Sequence, residues 1–191
     1  MSQPLPIRPP LRFPASRELA IVAALVALLV AASAVMVRLG RPLATPASPR
    51  GIIDFELAGT RERAAEILAA WDEGAREAAR VQTRADDFGY IPAYVLAISA
   101  AAGAVATRIR FRGLALLGVA LAWAMLPAGV FDLVENRQMM AQLASGPDAG
   151  RAALARAMAS LKFAIVYATL AYALVGALVV AVDRFARGAR A

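Results

Sequence analysis

The side chains of this sequence that could do chemistry gather in two short runs. In Phe131-Asp132-Leu133-Val134-Glu135-Asn136, the polar groups of Asp132, Glu135 and Asn136 stand at i, i+3 and i+4, so one helical face would carry all three. Asp87, Tyr90 and Tyr94 stand at i, i+3 and i+7, with Asp86 one step away. Asp54, Glu56 and Lys162 are the other groups whose position could bring them to the same place. Carboxylates and phenols in this company can hold protons, accept hydrogen bonds from a ligand, or bind a hard cation. Oxygen-only donors suit Ca²⁺ or Mg²⁺ far better than zinc, with Asp132 and Glu135 as the candidate metal ligands.

Much other chemistry is excluded. The chain has no cysteine and no histidine. It therefore has no thiol nucleophile, disulfide, CxxC redox pair, Ser-His-Asp triad or histidine-held metal of its own. No GxGxxG or GxxxxGK[ST] run is present to cradle a phosphate. No cofactor is expected.

The elements that must position the acids are apolar. Of 191 residues, 60% are hydrophobic and 18% charged, above the apolar share of ordinary soluble domains. Four windows carry no charge at all: Leu19–Val37, Tyr90–Thr107, Gly113–Phe131 and Phe163–Val182. As helices they would each reach roughly 27–30 Å, the thickness of a bilayer's hydrocarbon core. A soluble core helix of that length would show a polar stripe, and these show almost none. The expected fold is thus all-α, a four-helix transmembrane bundle whose backbone satisfies itself within each helix. The first window could instead belong to a signal peptide, with Ala32-Ser33-Ala34 as a small-x-small cleavage site. An uncleaved span fits better, because the apolar run continues through Val37 and the Pro-rich lead is long.

Orientation follows from the arginines. With the N-tail 1–18, the turn 108–112 and the tail 183–191 on one side, that side holds nine arginines against Glu18 and Asp183. Residues 38–89 hold eight arginines and nine acids, so the other side is balanced. The positive-inside rule then places both termini of a multi-pass membrane protein in the cytoplasm. Topology accounts for the net charge of +7, and no basic, aromatic-studded face suggests nucleic acid as a partner.

The polypeptide between spans adds two outer segments. Residues 41–50 read as a Pro-rich linker. Thr60 looks like an N-cap for an amphipathic, extracytoplasmic helix over about 61–84, with Asp72–Arg76 and Glu77–Arg80 spaced for ion pairs. That helix is either a lid or partner surface anchored at the headgroups by Trp71, or a cover packed on the ends of the spans. Residues 132–162 form a weaker second segment, punctuated at Ser145-Gly146-Pro147-Asp148. Ala120, Ala124 and Ala128 extend the Asp132 face inward as a small-residue seam, which turns the acids toward the bundle. Tyr167, Thr169 and Tyr172 are expected to bond across helices.

FELAGT (55–60), Trp71, the Asp87 to Tyr94 region and FDLVENRQMMAQL (131–143) together resemble a set of small bacterial four-span membrane proteins. The shared signature is Asp132-x-x-Glu135-Asn136 at the end of the third span. The resemblance implies the architecture and the importance of the outer rim, and carries no activity.

Three roles for the rim remain open from the sequence. It is a structural lock of carboxylates and tyrosines closed by Lys162 and arginines, a site for a lipid headgroup or divalent cation with or without catalysis, or part of a proton or ion path. The leading expectation is a non-catalytic bundle that binds lipid, a partner protein or a second copy of itself at that rim. The alternative is a membrane enzyme or binder that uses the carboxylates on a headgroup or cation.

Overall fold

The computed structural model describes residues 7–188 and is helical throughout its long elements. Arg184, Arg187 and Arg190, which entered the charge count above, fall on side chains or residues outside that description. Helix α1 is Glu18–Gly40. Short helices α2 (Ile52–Glu56), α3 (Arg61–Ala70) and α4 (Glu73–Ala85) follow. Helix α4 runs through a π turn, Asp86–Tyr90, into α5 (Ile91–Ala106). The chain ends in two long helices, α6 (Arg112–Ser145) and α7 (Ala149–Gly188). Four helical rods are long and apolar enough to cross a membrane, and the protein is an integral membrane protein of all-α architecture.

Packing differs sharply between these rods. Helix α5 buries most of its side chains between α1, α6 and α7, and its small residues let the neighbours close in. Helix α1 buries none, and leans on α5 with its apolar surface left for lipid. On α7 the seam runs through Ala173 and Gly176, where Val105 of α5 leaves no room for a Cβ. On α6, Gly118 likewise gives way to the Tyr172 ring.

At one end, α6 and α7 run on past the apolar windows and carry a small second core. Phe55, Ile67, Leu68 and Trp71 pack there against Met139, Leu143 and Ala152. We call this the capped end, and the end with the N-terminal segment and the 107–111 turn the tail end. The stretch 132–162 is thus almost all helix, broken only at Gly146–Asp148, because its Ala-rich sequence continues both helical patterns. The expected helix over 61–84 is two helices. Trp71 leaves the helical conformation and Asp72 accepts from Ala75 N–H, starting α4 afresh. Arg76 accordingly turns away from Asp72 and donates to the Trp71 and Leu68 carbonyls, closing the C-terminus of α3. The Glu77–Arg80 pair forms, at 2.9 Å.

Trp71 is no headgroup anchor. It is 1% exposed, and its indole N–H points to Leu43 O and Ser48 Oγ, each at 3.0 Å. The supposed linker 41–50 is folded around that indole. Ser48 Oγ donates to Leu43 O, and Gly51 turns the chain at φ 62°, where a side chain would be strained.

Candidate functional site

The π turn prepares the site. Pro92 has no N–H to offer the helix, and Ile91 N–H reaches back five residues to Asp86 O. The extra residue per turn sets Asp86 and Asp87 both toward α6, where Asn136 Nδ2 donates to Asp86 at 2.7 Å and to Asp87 at 2.8 Å. Tyr94, one turn into α5, donates its hydroxyl to Asp132 at 2.9 Å.

Lys162 of α7 sits at the centre. Its ammonium donates to Asp132 at 2.8 Å, lies 2.9 Å from Glu135 Oε2 and 3.5 Å from Glu56 Oε2. The first contact is the best aligned hydrogen bond, and the other two are ion pairs. Helix α2, one turn long, exists at this point to bring Glu56 over the ends of α6 and α7. All four groups are buried, and Glu135 is 0% exposed. Three buried carboxylates therefore share one buried cation, with Asp86 and Asp87 half-buried at the edge. Burial pushes the Glu56 carboxyl above the ordinary glutamate range. Lys162 pulls it back down, and the neighbouring Asp132 charge adds to the rise.

Asp54 belongs elsewhere. Partial burial raises its carboxyl, but the Arg50 backbone N–H and guanidinium outweigh that and hold it below the ordinary aspartate range. The Arg50 contacts are 2.6–2.8 Å. Tyr90 tilts against Tyr94, ring centres 5.6 Å apart, and makes no part of the charge network. Of the tyrosines and threonine expected to bond across helices, Tyr167 is 64% exposed and stacks on Phe163. Thr169 donates within its own helix to Ile165 O. Tyr172 Oη has no hydrogen-bond partner among the described residues.

Beside this network opens a cleft of about 770 Å³. One flank is apolar, lined by Leu29 and Val30 of α1 and by Val166 and Leu170 of α7. Its other end is formed by Glu56, Asp86, Asp132 and Lys162. Arg41 and Arg50 stand at the same end. Sequence reasoning missed two more lining residues, Gln82 and Thr83. They lie one turn before Asp86 on the same helical face, but on a helix that reads as surface. Gln82 Nε2 donates to Met36 O, which ties α4 to α1. Gln82 Oε1, Thr83 Oγ1 and Glu56 Oε2 are buried with no hydrogen-bond partner among the described residues.

A metal at Asp132 and Glu135 would have to displace the Lys162 ammonium from between them. Among the described residues no three acidic groups are arranged to hold a metal ion. No family model, no curated protein and no solved structure matches the chain.

Proposed function

We propose that this membrane protein is a non-catalytic bundle that shelters a lipid-like amphiphile at its acidic rim. The observation that carries the reading is one continuous cleft with an apolar flank and a polar end. An amphiphile matches that division. Its chain exchanges lipid neighbours for Leu29, Val30, Val166 and Leu170, while its head meets groups held in place by the Lys162 network. The volume falls in the 300–1,000 Å³ range of ordinary ligand sites, enough for a headgroup and part of a chain. The arginines at positions 8, 12, 17, 108, 110 and 112 support a cytoplasmic tail end, and hence an extracytoplasmic rim on a bacterial inner membrane. The DxxEN-bearing four-span proteins resembled by residues 131–143 are proposed as relatives on the same ground. A Ca²⁺- or Mg²⁺-dependent enzyme would need Lys162 displaced, and no observation favours it.

The test is native mass spectrometry of the full chain extracted from membranes in neutral detergent. The wild type should carry lipid, and Val166→Trp, which fills the cleft, should lose it while keeping its helical circular dichroism. A lipid-free wild type whose melting temperature responds to no added lipid would overturn the reading. It would leave the rim as a lock between helix ends, and a mass of twice the chain would assign the cleft to a second copy.

A further inference from the structure

Resting on that reading, we infer that the headgroup held at the rim carries a protonated amine, as in an aminophospholipid, with its phosphate toward Arg41. Two independent features of the site select this chemistry.

The first is the hydrogen-bond inventory. Among the described residues, the buried side-chain atoms that line the polar end without a hydrogen-bond partner are acceptors or a hydroxyl: Gln82 Oε1, Thr83 Oγ1 and Glu56 Oε2, the last with only the Lys162 ammonium at 3.5 Å. Gln82 cannot turn its amide to offer a donor without breaking the Nε2 bond to Met36 O. The buried donors on this side, Lys162 and Asn136, are already engaged with Asp132, Asp86 and Asp87, and Arg50 is engaged with Asp54. Buried acceptors left without donors are costly, and a ligand that brings several N–H groups satisfies them. A carboxylate or phosphate would bring only more acceptors.

The second is charge. Glu56, Asp132 and Glu135 are buried around a single ammonium, with Asp86 and Asp87 beside them. A buried excess of carboxylate is relieved by protons or by a cation. An ammonium entering through the cleft would meet Glu56 and Asp86 first, both of which line it. Arg41 lines the same end and supplies the opposite charge for a phosphate, while Arg50 beside it is already paired with Asp54. A zwitterionic head therefore finds complementary charge at both of its poles. The chain's own net charge of +7 works against indiscriminate attraction of amines to its surface, so a preference for them has to come from a local site.

The experiment loads the delipidated full chain in neutral detergent with three lipids of identical acyl chains: phosphatidylethanolamine, phosphatidylglycerol and diacylglycerol. Retention is read by native mass spectrometry and by melting temperature. The expected result is phosphatidylethanolamine retained about tenfold more tightly than either other lipid, with Glu56→Gln and Asp86→Asn each cutting that preference at least threefold. Equal retention of the two phospholipids, or a preference for phosphatidylglycerol, overturns the amine. Equal retention of all three overturns the head chemistry and leaves the amphiphile cleft standing. Retention of none overturns both. An ethanolamine preference that survives both substitutions places the amine away from Glu56 and Asp86, and overturns the site.

Discussion

At the capped end, three buried carboxylates each lie within 3.5 Å of one buried ammonium, covered by α2 and by the core around Trp71. At the tail end, Arg8, Arg12, Arg108, Arg110 and Arg112 surround a cavity of about 760 Å³. The ion pair Arg108–Glu18, at 2.5 Å, ties α1 to the turn there. Its side chains keep 20% and 16% of their exposure, against 7% or less for Lys162, Asp132 and Glu135. The tail end is thus cationic and the buried network of the capped end has an excess of carboxylate, and the two hold their charge in different solvents. Desolvation makes the capped-end network depend on Lys162, whose removal strands three buried carboxylates. The tail-end charges can be screened one by one.

The largest expected effect breaks that comparison directly. Lys162→Met strands three buried carboxylates and should cost about 3–5 kcal/mol in unfolding experiments in mixed micelles. Arg108→Met should cost no more than about 1 kcal/mol. Equal costs would mean that the ends do not differ as argued. Next comes the cap's own core. Trp71→Phe removes the indole N–H from Leu43 O and Ser48 Oγ, and about 1–3 kcal/mol of stability is expected to go with it. Hydrogen exchange should show the loss concentrated in 41–85, with the tail end unaffected. A smaller loss, about 1 kcal/mol, is expected for Asp72→Ala, which uncaps α4. Thermal melts of the single variant measure it.

The last prediction is a slope. Because Glu56 in the fold holds its proton above its ordinary value of 4.5, its contribution to stability is fully present below that pH. It is lost as pH rises from there through the folded value. Asp54 runs the other way: its contribution is present above 3.8 and is lost as pH falls through its depressed folded value. Glu56→Gln should therefore flatten the decline in melting temperature above pH 4.5 and leave the acid limb in place. An unchanged alkaline slope would show that Glu56 is not the group responsible.

Much of the frame was legible in the residues. Charge-free windows as long as a bilayer is thick have one stable conformation there, so helix through 19–37, 91–106, 113–131 and 163–182 follows from composition, while its continuation across most of 132–162, expected as a loop, does not. The shared face of Asp132, Glu135 and Asn136 is a property of helical spacing alone, and all three are buried. Trp71 shows where such reading stops. Its place on an apolar stripe fits an interfacial anchor as well as a buried plug, and only the fold of 41–51 around its N–H decides. Gln82 and Thr83 were overlooked for the same reason, since a polar pair on a charged helix reads as solvated until a neighbour covers it.

Taken by itself, the sequence determined the solvent, the number of apolar rods and the grouping of acids on helix faces, because hydropathy and the 3.6-residue period act within one segment. Tertiary structure decided which acids meet. It placed Glu56 with Lys162, gave Asp54 to Arg50, and left the cleft between α1 and α7. The first and last of these depend on contacts between residues a hundred or more positions apart, which no local spacing encodes, whereas Arg50 and Asp54 stand at i and i+4.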